Sequence, residues 1–277
     1  MSSSFKRPTL ACSAAVIVAY SLLCFHRVAV QAQQQFIIAE IPPIPTAADE
    51  GITADMMMSG RTPDCDDGTK NLTVDWNGWD GDRWCFGERW TTSSQKLPPT
   101  EWCGPQPPPA IHHCMSDTIS YEDVPPTSGN HRPSWAIYGE YTYLPPQRWL
   151  HNLEHGAVAL LYNPCADPVE IDKLRKLVTG CLRRHVITPY NKLPRATPFA
   201  LVTWGCKLMM ASADIERATM FIQTHAKHGA EQLSKEGQYN LNLLQRAAIV
   251  SDYDDSILCP NSQRQFFSPN SFKRFFM

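Results

Sequence analysis

Behind a short apolar leader the chain carries eight cysteines: Cys65, Cys85, Cys103, Cys114, Cys165, Cys181, Cys206 and Cys259. An even number of thiols in an exported chain reads as a disulfide framework. Such a fold must bring segments far apart in sequence into pairwise contact, although spacing alone leaves the pairing open. A cysteine zinc cluster is the rival reading, and no two of these residues have C-x2-C or C-x4-C spacing. The leader itself has Lys6 and Arg7, an apolar run from Leu10 to Phe25, and Val30 and Ala32 where a signal peptidase would cut after Ala32. A retained anchor is the alternative, but the run of about sixteen residues falls short of the roughly twenty a spanning helix needs. Cys12 and Cys24 leave with residues 1–32, and no later stretch is apolar enough to span a bilayer.

Charge says little about partners. The leader holds Lys6, Arg7 and Arg27, so removing three of 25 basic residues leaves 22 against 27 acidic, a net of −5. Both signs are interspersed and no basic stripe appears, which argues against nucleic acid. The 245 residues left of 277 suffice for one substantial core, or for one core plus a small lobe.

Along the chain, residues 33–60 mix a Gln run, Ile41-Pro42-Pro43-Ile44-Pro45 and a Met run without amphipathic period, and read as a disordered linker. Residues 61–109 are rich in Cys and Trp and broken by Gly and Pro, so short strands and loops are expected. Trp76-Asn77-Gly78-Trp79 matches a mannosylation pattern, though clustered Trp more often forms core. The acidic string Asp75 to Asp82 lacks the twelfth-position Glu of an EF-hand and reads as a solvated turn. Asn71-Leu72-Thr73 is a glycosylation sequon.

Residues 110–258 read as a mixed α/β domain. Ala157–Tyr162 is a buried-looking strand; Asp167-Pro168-Val169-Glu170 supplies an N-cap, an N1 proline and a capping-box Glu. The helix that follows puts Ile171, Leu174, Leu177, Val178 and Cys181 on one face. Val186–Thr188 and Phe199–Trp204 read as strands, with Lys207–Met210 returning across Gly205. Further helices are expected over 213–228, with Ile215, Ala218, Phe221 and Ile222 inward, and over 238–250. Residues 259–277 form a loose tail. The fold class expected is α+β, a small mixed sheet with helices packed on it, preceded by the disulfide-linked Cys/Trp-rich region.

The densest polar constellation precedes the first of these strands. Pro145-Pro146 starts a helix and Gly156 ends it. His151 and His155, four residues apart, then share one side, away from Trp149, Leu150 and Leu153. They face water or a polar cavity shared with another segment. His at i and i+4 is a metal-chelating spacing. The string fits H-x-x-E-H, but the break at Gly156 argues against a protease. A metal pair completed by His131 is more economical, with Glu154 second shell, orienting a ring or activating water. Opposed to this is a structural reading in which the histidines fix a tight turn. His112-His113-Cys114 reads as a strand end beside a disulfide.

Pro125-Pro126-Thr127-Ser128-Gly129-Asn130-His131, Leu150-His151-Asn152-Leu153-Glu154-His155-Gly156-Ala157-Val158, Pro189-Tyr190, Leu193-Pro194 and Leu201–Gly205 together resemble a widespread family of domains of unknown function, DUF3105, over about 110–230. Cys114, Ile119-Ser120-Tyr121, Pro145–Leu150 and the Asn71 sequon are similar to its animal branch. That resemblance implies export and a loose link to growth control, and no catalytic residues. The reading is a secreted or lumenal glycoprotein without enzymatic activity, carrying a His-lined site for zinc or copper and acting through a protein partner. The alternative is a metal-dependent hydrolase or redox protein using His131, His151 and His155 with Glu154.

Overall fold

The structure, a computed structural model, describes residues 64–92 and 97–261. The expected leader, the linker 33–60 and the chain beyond 261 lie outside the described residues. Seven strands form one sheet: β1 (Thr100–Cys103), β2 (Gly139–Tyr141), β3 (Val158–Tyr162), β4 (His185–Pro189), β5 (Phe199–Thr203), β6 (Cys206–Met210) and β7 (Leu243–Arg246). Their order across the sheet is β1-β6-β5-β3-β4-β2-β7. β4 runs parallel to both β3 and β2, and the remaining pairs are antiparallel. With helices α1 (Pro146–Glu154), α2 (Pro168–Cys181) and α3 (Ile215–His225), this is an α+β fold with a mixed sheet.

The central strands are largely apolar because both of their faces are covered. Val158, Leu160, Ile187, Phe199 and Leu201 meet α2 and α3 through Ile171, Leu174, Val178, Phe221 and Ile222. The alternate residues Ala159, Leu161, Val186, Ala200 and Val202 pack with Trp149, Leu150 and Leu153 of α1. The period-2 alternation of strand side chains thus divides one apolar run between two cores.

Local chemistry accounts for most boundaries. Asp167 caps α2 by accepting from Val169 N at 2.9 Å, with Pro168 at N1. Gly205, at φ +79°, makes the β5–β6 turn. Gly156, at φ +86°, ends α1 where a Cβ would meet the Lys227 backbone at 2.8 Å. The expected capping box is absent: Glu170 instead accepts from Ala213 N at 2.7 Å and binds Lys173, tying the start of α2 to the turn before α3. Ile215 is exposed because it stands at the first position of α3, before the helix meets the sheet.

Residues 238–250 form no helix. Leu243–Arg246 pair antiparallel with β2, Asn242 adopts φ +67°, and Ala247 N donates to Tyr138 O at 2.9 Å. The open edge of β2 offers backbone partners, and a left-handed Asn breaks a right-handed helix.

All eight cysteines behind the expected leader pair, as Cys65–Cys114, Cys85–Cys165, Cys103–Cys206 and Cys181–Cys259. None of these bonds closes within residues 61–109; Cys65, Cys85 and Cys103 each reach outside that stretch. Its tryptophans are not core either, since Trp79, Trp84 and Trp102 are exposed. Nor is the acidic string a solvated turn throughout. The Asp75 carboxylate is buried against Arg132, whose Nε lies 3.0 Å from both oxygens.

A second buried pair joins the same stretch to α1. Arg148 Nη1 lies 2.5 Å and Nη2 3.1 Å from the Asp66 carboxylate, and both side chains are fully buried. Removing one partner strands a buried charge, so Asp66→Ala is expected to cost about 3–5 kcal/mol. Guanidinium chloride unfolding with the disulfides intact would show it as a lower midpoint at unchanged slope. Asp66→Leu combined with Arg148→Met should recover most of the loss.

Candidate metal centre

Two backbone segments and one helix build the site. Residues 111–113 lie beside 130–132 in a short parallel bridge, with His131 N donating to Ile111 O at 3.2 Å and His113 N to His131 O at 2.9 Å. The bridge puts His112 and His131 side by side. Asn130 Oδ1 accepts from Ile111 N at 2.9 Å, and Tyr121 OH donates to Asn130 O at 2.7 Å. Opposite them, α1 presents His151 and Glu154, three residues apart and therefore on one side of the helix.

The ligand atoms converge. His112 Nε2 is 3.1 Å from His131 Nε2, and the Glu154 Oε2 atom is 3.0 Å from His131 Nε2 and 3.6 Å from His112 Nε2. Atoms of His112, His131, His151 and Glu154 all lie within 4.8 Å of one another. A tetrahedral ion with bonds of about 2.0–2.1 Å separates its ligand atoms by roughly 3.3 Å.

The far ring nitrogens fix the tautomers. His131 Nδ1 is 2.8 Å from Gly129 O, and His151 Nδ1 is 2.6 Å from Arg132 O. A carbonyl oxygen only accepts, so both Nδ1 atoms carry hydrogen and the neutral rings keep their Nε2 lone pairs. His151 Nε2 is buried and has no hydrogen-bond partner.

Electrostatics keep the rings neutral. Burial pushes His131 below the ordinary histidine value, against an opposing pull from Glu154. Burial also drives His151 well below it, helped by the neighbouring histidines. At Glu154 burial raises the carboxyl, but the close approach of His112 and His131 prevails and brings it to about 2. A carboxylate beside the neutral rings of His131 and His151 is the protonation state a divalent cation requires.

Sequence reasoning placed His131, His151 and His155 together. The structure brings His131 and His151 within 4.6 Å, centroid to centroid, but turns His155 elsewhere. His155 stands edge-on to His151 at 4.6 Å rather than stacked flat on it, and its Nε2 lies 2.9 Å from Glu231 Oε2. It groups with His151 and Glu231 instead. Glu154, expected behind the ligands, has its carboxylate among them. His112, read as a strand end, belongs to the site, where its ring lies 4.5 Å from His151 at 16° between planes. Only the long-range bridge to His131 brings it there, and no local pattern in the sequence encodes that pairing. Glu231 was missed for the same reason; its N–H donates to Glu154 O at 3.1 Å.

His131, His151 and the equally buried His185 all titrate below their unfolded value of 6.5. A depressed pKa contributes stability that is complete above about pH 6.5 and is lost as pH falls toward the folded values. The metal-free protein should therefore melt at a lower temperature at pH 5 than at pH 7.5. Equal melting temperatures would contradict neutral burial of these rings.

The four disulfides fit an oxidising secretory or extracellular setting. Among the described residues no helix is long and apolar enough to cross a membrane. Comparison with curated proteins and with solved structures gives no match. A family model does match residues 112–238, a span that opens on His112 and takes in His131, His151, Glu154 and Glu231. Over those residues the chain is similar to the family described as Protein of unknown function (DUF3105).

Proposed function

We propose that the domain holds one divalent transition metal, zinc or copper, through His112, His131, His151 and Glu154, in an exported protein that acts by binding rather than by catalysis. The observation that carries this reading is the unpaired lone pair of buried His151 Nε2 beside two further imidazole Nε2 atoms and a carboxylate. Lone pairs packed this closely repel unless a cation lies among them. The two backbone carbonyls on Nδ1 are the outer partners that orient metal-ligating histidines. Four protein ligands fill a tetrahedral shell, the composition of a retained ion rather than of one that keeps a place for water.

Protein purified from the medium of expressing cells without chelator should contain about one transition-metal ion per chain by elemental analysis. His131→Gln and Glu154→Gln should each lower its affinity by at least about tenfold, the usual range for losing a coordinating or orienting group. Chelation should lower the melting temperature of the wild type, and that of His131→Gln by a smaller amount. Protein that is metal-free and does not take up zinc or copper on titration would overturn the reading. Metal-loaded protein whose Glu154→Gln variant keeps full metal content would favour the alternative, in which Glu154 activates a bound water.

Export and glycosylation rest on the disulfides and on the exposed Asn71, which opens a 3-10 turn over Leu72–Val74. Resemblance to tumour protein p53-inducible protein 13 supports a growth-control context through a protein partner. Asn71→Gln should migrate faster on a gel, and an unchanged mobility would count against the glycan.

A further inference from the structure

Of the eight paired cysteines, Cys103 alone is exposed. It ends β1, an edge strand exposed along its whole length, directly opposite Cys206 of β6. The other bonds lie deeper: Cys181 and Cys259 are buried, and the four cysteines of the remaining two are half-buried. Access of a thiolate to sulfur controls exchange, so this bond is the most open to attack.

A second feature separates it from the others. A ring nitrogen of His225, in the last turn of α3, lies within 4.8 Å of both sulfurs. Among the described residues no other disulfide has a histidine, aspartate or glutamate ligand atom so near both its sulfurs. The ring is also anchored, with Nε2 2.9 Å from Glu101 Oε1. Glu101 is in turn bound by Arg217 at 3.3 Å and belongs to the same strand as Cys103. An imidazole so placed can protonate or pair with a departing thiolate.

We infer that Cys103–Cys206, with His225, is a thiol–disulfide exchange site for an external low-molecular-weight thiol. The thiolate attacks Cys103 Sγ, forming a mixed disulfide as the Cys103–Cys206 bond breaks. The electron pair leaves on Cys206 Sγ, which takes its proton from His225. A second thiol attacks the mixed disulfide at the external sulfur, releasing the oxidised small-molecule disulfide and the Cys103 thiol. Two external thiols are oxidised, and one protein disulfide is reduced.

The test treats the secreted protein with increasing reduced glutathione, traps thiols by alkylation and maps them by peptide mass spectrometry. Cys103 and Cys206 should be labelled while the other six cysteines remain bonded. His225→Gln should slow that labelling about threefold, which is what about one unit in leaving-thiol pKa gives at a Brønsted slope near 0.5. Labelling of Cys85–Cys165 or Cys65–Cys114 first, or of all four bonds together, would overturn the site. An unchanged rate in His225→Gln would remove the histidine from it.

Discussion

Helix α1 has no solvent face: all nine of its residues are buried, among them Gln147, Arg148, His151, Asn152 and Glu154. Its apolar side is spent on the sheet, so the polar side must be satisfied by protein. One extended segment does most of this. Gln147 O accepts from Arg132 N at 2.9 Å, His151 Nδ1 donates to Arg132 O, and Arg148 Nη1 donates to Ser134 O at 2.8 Å. Asn152 then meets Ala136 twice, accepting from its N at 3.1 Å and donating to its O at 2.8 Å. Residues 132, 134 and 136 alternate along the strand-like segment while their partners descend the helix. His131, at the head of that segment, is thereby set opposite His151 and Glu154.

The same requirement explains the region before the sheet. Arg148 and Arg132 would be uncompensated charges without Asp66 and Asp75. The Cys65–Cys114 bond fixes the neighbour of Asp66 to the bridging segment that carries His112. A stretch with little regular structure is thus part of the wall behind the site, joined to it by buried ion pairs as well as by sulfur.

Local signals made the central elements legible. Asp167-Pro168 marks the start of α2, Gly205 marks a hairpin, and the apolar runs at 158–162 and 199–203 mark strands buried on both faces. The helical spacing of His151 and His155 was equally plain, but spacing states only that two residues share a side. It does not say what faces each one, and α1 packs against different neighbours one turn apart. His155 meets Glu231, while His151 meets His112 and His131, and Trp135 touches both rings. Residues 238–250 misled for a related reason. Their apolar residues recur at helical intervals, yet the free edge of β2 gives that backbone a better set of partners. Non-local pairing decided each of these cases, and it leaves no mark in a local window.

Three imidazoles gather around one carboxylate, and backbone carbonyls on the Nδ1 atoms of His131 and His151 hold two of the rings in place. X-ray absorption at the zinc edge of the loaded wild-type protein tests that set directly. The account predicts about four nitrogen and oxygen neighbours near 2.0–2.1 Å with the outer-shell scattering of three imidazoles. A sulfur-containing shell, or a shell with no imidazole scattering, would contradict it.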